Sequence, residues 1–249
     1  MALAVAVAPV AIVVPYMDTD PDQKRSQQLV QFLTYMPGYL SRHGVIHDIY
    51  IVEQTEGKFN RGWLLNVGFL EAQKRKEYNR IVFHDVDLLP CEKMAKEYAR
   101  TRLDDSPVIH LGARWRDRYS GDAYLGGVLS VHATAFRSVN GFPNRYWGWG
   151  GEDDELRRRL DSKGVVVDRP KEGVYTDLEF MTLEQKLTYL RRKDLKCSNK
   201  WELAADSQDV WLVDGLSSTK YDVMTSAVHP LHETNVVVHL RLASPKIIP

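Results

Sequence analysis

Two short stretches of this chain gather the side chains that could do chemistry. In "FHDVDLLP" (83–90), Asp85 and Asp87 lie two residues apart at the end of an apolar run. Residues two apart in an extended chain point to the same side, so both carboxylates face the crevice where the strand stops. Hard oxygen donors held this way suit Mg²⁺ or Mn²⁺ bridging a diphosphate, the alternative being aspartates that only finish a polar strand end. The second stretch, "WGWGGEDDELRRRL" (147–160), sets Trp147 and Trp149 among Gly148, Gly150 and Gly151, ahead of Glu152, Asp153, Asp154 and Glu155. Acids are favoured by the dipole in the first turn of a helix, but that does not call for tryptophans and glycines in front of them. Flat aromatic faces beside carboxylates suit a sugar, which offers C–H faces to stack on and hydroxyls to donate, and glycines give such a stretch the freedom of a lid.

The elements that must position these residues follow from periodicity. "VAPVAIVVP" (7–15), "VIHDIYIVEQ" (45–54) and "RIVFHDVDLLP" (80–90) read as strands. Asp20 followed by Pro21 is a cap-then-first-turn signature for a helix carrying Leu29, Phe32, Leu33 and Met36, and "NRGWLLNVGFLEAQKRKE" (60–77) is a second helix. This β-α-β-α-β order predicts an α/β fold with a mostly parallel sheet covered by helices, and ligands in such sheets collect at the carboxyl ends of the strands. Residues 107–115, 123–132, 165–168 and 235–242 are further expected strands; "ATAFRSVNG" is expected to be helical, and a helix from about Glu152 to Lys163 should end at Gly164. Residues 171–234 are polar and irregular, and no fold is assigned to them. No linker divides residues 1–249, which are expected to form one domain.

Composition narrows the partners. The 249 residues are 44% hydrophobic, enough for a real core, and 33 Lys plus Arg balance 33 Asp plus Glu. Bulk charge therefore does not draw this chain to nucleic acid or an anionic membrane. "RRRL" (157–160) and "LRRKDLKCSNK" (190–200) are expected to be solvated faces. Cys91 and Cys197 are far apart with no metal-ligand spacing, and two buried thiols are favoured over one disulfide. "ALAVAVAPVAIVV" is too short to span a bilayer and reads as a first core strand, so no membrane segment is expected in this chain. His84 should point away from the two aspartates, and His229 and His232 read as structural.

"FNRGWLLNVGF", "FHDVDLLP", "YLGGVLSVHATAFRSVNGFPNRYWGWGGEDDELRRRL" and "DGLSSTKY" together resemble the β-1,4-galactosyltransferase family, in order, from about Val10 to Leu240. The resemblance implies a GT-A (Rossmann-like) fold, a UDP-galactose donor, Mn²⁺, and inversion to a β linkage on a saccharide or glycoconjugate hydroxyl; the hard carboxylate donors add Mg²⁺ as an expected substitute. Transfer of GalNAc or GlcNAc, and a sugar- or nucleotide-binding protein without turnover, are the alternatives. By position, Asp153 matches the general base, Asp87 the metal ligand and Trp149 the lid tryptophan. Pro15, Tyr16, Phe59, Arg61, Asp85, Val86, Asp87, Tyr124 and Trp149 are expected at the donor. Trp147, Trp149, Gly150, Gly151, Glu152, Asp153 and Asp154 are expected at the acceptor.

The chain departs from the family in two places. "PYMDT" (15–19) replaces a Pro-Phe-Arg stretch with a second arginine, so two cations near the phosphates are missing. The usual metal-binding histidine is also absent. Alignment from "RP" (169–170) puts Glu184 there as Asp87's partner, with Thr182 the alternative and Met181 a weak contributor at most. A catalytic domain without its anchor would work in the Golgi lumen, and a complete chain of this sequence in the cytoplasm.

Overall fold

The computed structural model describes residues 8–102, 105–114, 124–179, 181–231 and 235–244. Strand β1 (Val10–Tyr16) is buried at every position, which is why its sequence is an unbroken apolar run and does not alternate. Asp20 and Pro21 open a short turn, Pro21–Gln23, in which the Asp20 side chain accepts from the Asp22 amide. Helix α1 (Arg25–Arg42) begins only after Lys24, whose φ of 52° breaks the run. The expected cap therefore serves a 3-10 turn, and the true start of the helix places Arg25 in its first turn.

Strand β2 (His47–Gln54) pairs in parallel with β1. Helix α2 (Arg61–Arg75) follows, capped by Asn60, whose side chain accepts from the Trp63 amide. Strand β3 (Arg80–His84) lies parallel to β1 on its other edge. The single strand expected over 80–90 is interrupted: Asp85, Val86 and Asp87 leave the sheet, and β4 (Leu88–Pro90) belongs to a separate two-stranded ribbon.

The chain continues through α3 (Ala95–Tyr98), β5 (Val108–His110), β6 (Val128–His132), α4 (Ala133–Ser138), α5 (Glu152–Ser162) and β7 (Val167–Asp168). The strands expected over 107–115 and 123–132 are shorter than their apolar patterns. Leu111–Arg114 turn as a 3-10 segment, Tyr124–Gly127 are not strand, and Trp115 and Ala123 lie outside the described residues. Residues 171–234, left without a fold by the sequence, hold β8 (Tyr175–Asp177), α6 (Leu183–Arg192), α7 (Lys200–Ala205), α8 (Ser207–Val210) and β9 (Val223–Pro230); β10 (Val236–Leu242) follows them. The strand order of the main sheet is β7-β5-β6-β3-β1-β2-β10-β9, and β4 pairs with β8 apart from it. The central pairs β3–β1, β1–β2 and β2–β10 are parallel, whereas β6 and β9 join antiparallel.

Alternate residues of β1 serve two cores, one on each face of the sheet. Ala11 and Val13 join Trp63, Phe69, Phe83, Phe136 and Phe142, while Val10, Ile12 and Val14 join Phe32, Met36, Tyr39 and Tyr98. Phe136 sits 4.7 to 5.7 Å from three neighbouring phenylalanine rings, so truncation to alanine there should cost about 3–5 kcal/mol. Both thiols are free, with Cys197 buried and Cys91 half-buried. "RRRL" is not a solvated face throughout: Arg159 and Leu160 are each 1% exposed, and Arg159 lies 3.5 Å from Glu155 and 3.6 Å from Asp214. His229 is exposed on β9, and His232 lies outside the described residues. Among the described residues, no helix is long and apolar enough to cross a membrane.

Candidate active site

A cavity of about 340 Å³ opens where β1 and β3 end. Pro15 and Tyr16 from the end of β1, and Asp85, Val86 and Asp87 from the break after β3, form one wall. Phe59, Arg61 and Tyr124 extend it. A second wall carries Trp149, Gly150, Gly151, Glu152, Asp153 and Asp154. Two expected site residues are not brought here. Trp147 is half-buried outside the lining. Glu184 is exposed and outside the lining, on the first turn of α6, which the Thr182 side chain and Gln185 close with a capping box. The same box occupies Thr182, the alternative partner.

On the β3 wall each aspartate has its own cation. Arg61 Nε donates to Asp85 Oδ1 at 2.8 Å, and Arg25 Nη1 donates to Asp87 Oδ2 at 2.8 Å. The cations that "PYMDT" lacks are supplied from elsewhere: Arg25 by the first turn of α1, and Lys186 by α6, with Nζ 2.5 Å from Glu179. Burial works to raise both aspartates. At Asp87 the Arg25 and Lys186 charges outweigh it and hold the carboxyl below its ordinary value. At Asp85 burial prevails and the carboxyl rises, despite Arg61.

The turn that presents these acids is held from beneath. His84 Nδ1 lies 2.8 Å from the Asp85 carbonyl oxygen, which can only accept, so Nδ1 carries the proton. Nε2 then accepts from the Tyr98 hydroxyl at 2.7 Å, and Tyr98 in turn accepts from Tyr175 at 3.0 Å. Burial keeps this imidazole neutral, pushing it down to about 4. The chain of hydrogen bonds ties β8 to the end of β3.

The lid wall is built differently. Asn66 accepts from the Phe142 amide and donates to the Phe142 carbonyl, clamping the entry to the loop onto α2. Gly148 (φ 95°) donates to the Phe59 carbonyl at 2.7 Å, and a Cβ there would fall 2.7 Å from the Leu195 carbonyl oxygen, so glycine is required. The Trp149 amide donates to Leu195 and its carbonyl accepts from Cys197, which seats the tryptophan on the segment after α6. Gly151 (φ 103°) then turns the chain into α5. Glu152 and Asp153 begin that helix with Arg61 Nη1 3.6 Å from Glu152 as their nearby cation. Burial and the neighbouring Asp153 charge push Glu152 up to about 8, and burial with the Asp154 charge pushes Asp153 up to about 6. A carboxylate at that value is ionised at neutral pH yet still basic enough to take a proton.

Opposite Asp153, a Cβ on Gly126 would fall 2.8 Å from Asp153 Oδ2 and 2.6 Å from the Tyr124 hydroxyl. The missing side chain at position 126 is what lets the carboxylate and the tyrosine approach each other.

Asp87, Asp177 and Glu179 each offer an oxygen, and these lie within 4.8 Å of one another. Asp87 Oδ1 is buried without a hydrogen-bond partner among the described residues. An all-carboxylate set with one unpartnered oxygen fits a hard divalent cation. Asp177 and Glu179 escape a reading of the sequence although "TDLEF" (176–180) repeats the i, i+2 acid spacing of "HDVDL"; Asp177 ends a strand only three residues long, Glu179 lies just past it, and no apolar run flags either.

A mostly parallel sheet with such a cavity at its carboxyl edge, lined by carboxylates and basic side chains, is a GT-A type fold. Residues 4–98 match the family described as the N-terminal region of glycosyl transferase group 7, and residues 107–182 match the family described as the N-terminal domain of galactosyltransferase. The chain is 36% identical over 230 residues to human beta-1,4-galactosyltransferase 4, covering 90% of this chain and 61% of that protein. It is 34% identical over 218 residues to Drosophila melanogaster beta-1,4-galactosyltransferase 7, covering 86% of this chain and 63% of that protein. The chain thus spans about three fifths of the length of these relatives. The crystal structure of the catalytic domain of the Drosophila enzyme with xylobiose superposes with a TM-score of 0.76 at 28% identity, over 95% of this chain and 94% of that one. A point mutant of the Drosophila enzyme, in complex with manganese, UDP-Gal and xylobiose, gives 0.75 at 29% identity, over the same shares of the two chains. The chain belongs to the β-1,4-galactosyltransferase family.

Proposed function

We propose that residues 1–249 act as one metal-dependent, inverting catalytic unit that moves galactose from UDP-galactose to a saccharide hydroxyl. The observation that carries this reading is the pairing, across one cavity, of an acid cluster fit for a divalent cation with a separate carboxylate at about 6. Asp87, Asp177 and Glu179 would hold Mn²⁺. When bound, the ion neutralises charge on the leaving diphosphate.

The chain's own residues do the rest. Arg61, fixed by Asp85, presents its charge to the donor and also faces Glu152. Asp153 accepts the proton of the acceptor hydroxyl as its oxygen forms the new bond to the anomeric carbon and the bond to the diphosphate breaks on the opposite side. The Tyr124 ring packs at Gly126 beside Asp153, where the transferred sugar must lie. Trp149 covers the site, and its seat on Leu195 and Cys197 is the contact a moving lid would exchange. The manganese, UDP-Gal and xylobiose found with the Drosophila neighbour support the same donor and a saccharide acceptor for this chain.

UDP release should be measured with UDP-galactose, UDP-GalNAc and UDP-GlcNAc against a panel of saccharides that includes xylobiose, with Mn²⁺ present. Galactose transfer to one or more acceptors is expected. Consumption of none of the donors would leave a binding protein without turnover.

A further inference from the structure

Lys186 is an unusual residue to find in a cation site. It lies on the buried face of α6, 8% exposed, and lines the same cavity as the acids. Its ammonium is 2.5 Å from Glu179 Oε2, while the other oxygen of Glu179 faces Arg25 Nη2 at 3.4 Å. Glu179 is thus engaged by cations on both oxygens, although it is one of the three carboxylates close enough to share a metal ion. The two basic residues differ in freedom. Arg25 is pinned by Gln23, Gln28, Asp87 and Glu179 together. Lys186 pairs with Glu179, and a lysine carries its point charge on a flexible four-carbon stem. Its helix is anchored by the Thr182–Gln185 capping box, so only the side chain has to move.

We propose that Lys186 is a diphosphate-binding residue that exchanges partners. It neutralises Glu179 while the carboxylates hold no cation, and it turns to the donor's diphosphate when a divalent ion takes its place on Glu179. This rests on the donor and metal reading above. A dication among Asp87, Asp177 and Glu179 would lie beside the ammonium, and like charges that close in a buried site repel strongly. A diphosphate bound in the cavity that Lys186 lines would be the anion that receives the displaced ammonium. Cation and nucleoside diphosphate must therefore bind cooperatively, and the coupling is reciprocal.

The test uses Mn²⁺ binding followed by electron paramagnetic resonance, and UDP binding at saturating Mn²⁺ followed by calorimetry, on wild type, Lys186→Gln and Lys186→Met. Removing the competing ammonium should tighten Mn²⁺ binding without nucleotide about 5-fold or more, and should weaken UDP binding by a similar factor. Opposite signs in one variant cannot come from misfolding, which would weaken both. Unchanged UDP affinity, or weaker Mn²⁺ binding in both variants, overturns the proposal. Asp87→Asn separates the two readings. If wild type binds Mn²⁺, Asp87→Asn does not, and the Lys186 variants still fail to move the two affinities apart, the exchange alone is wrong. If wild type binds no Mn²⁺, the metal reading falls and takes the exchange with it.

Discussion

Asp87 on one wall of the cavity and the acids of the lid wall are held in opposite electrostatic states, and Asp85, whose cation is Arg61, rises with the latter. On the wall where β3 ends, Asp87 is deeply buried, yet Arg25 and Lys186 keep it ionised below the ordinary range. On the lid wall, Glu152 and Asp153 are adjacent, their nearby cation Arg61 is already bonded to Asp85, and both rise. Asp153 is only half-buried, less than Asp87, so deeper burial does not set the two apart and the charges around each carboxyl decide. The difference separates two jobs that one set of carboxylates could not do together. A fixed anion suits holding a cation, whereas a base must give and take a proton near working pH.

The largest expected effect breaks the first wall. Asp87→Asn should remove Mn²⁺ binding, read directly by titration, and lower transfer by on the order of 10²-fold or more, since it alters the carboxylate whose one oxygen is left unpartnered for an ion. Retained Mn²⁺ affinity would move the cation elsewhere. The pH dependence sharpens the contrast. Because Asp153 must be ionised to act, kcat/KM should fall about tenfold per pH unit below about 6, while UDP binding with Mn²⁺ should stay level through that range, Asp87 being held ionised. A binding curve that falls together with the rate would erase the division.

Trp149→Ala should weaken donor and acceptor use together by roughly tenfold, as expected when a closing lid no longer assembles the site. Unchanged kinetics for both substrates would make the tryptophan a packing residue on Leu195 and Cys197. The smallest effect is on stability. Glu152 titrates at about 8 when folded, above the usual carboxylate value, so the folded state binds the extra proton. The stability from that proton is present at low pH and is lost as pH rises through about 8. The Tm of metal-free wild type should therefore decline more from about pH 5 to about pH 9 than that of Glu152→Gln, and parallel curves would show that Glu152 is not raised.

The sequence exposes these walls unequally. Asp85 and Asp87 stand out because β3 is a continuous apolar run that breaks into acids, and Glu152 to Asp154 because tryptophans and glycines mark the loop ahead of them. Local periodicity also yields β1, β2, α2 and α5 nearly at their limits. The partners of the acids are hidden for a physical reason: Arg25, Asp177, Glu179 and Lys186 meet Asp87 only through tertiary packing, from α1, from the strand β8 and the turn after it, and from α6. Lys186 sits in a segment whose helix is polar enough to read as irregular. Counting along the chain from "RP" points to Glu184, but the turn after β8 brings Glu179 to the site and leaves position 184 on the solvent side of α6. Short strands such as β4 and β8 exist only as each other's partner, and no single-strand pattern announces them.

The division between the walls is tested most directly in one variant measured twice. Asp153→Asn keeps the shape of the side chain and removes its ability to accept a proton. UDP affinity at saturating Mn²⁺ should stay within about twofold of wild type, while galactose transfer should fall roughly 10²–10⁴-fold, the worth of a general base. Transfer within about tenfold of wild type, or a loss of UDP affinity that matches the loss of rate, would contradict the account.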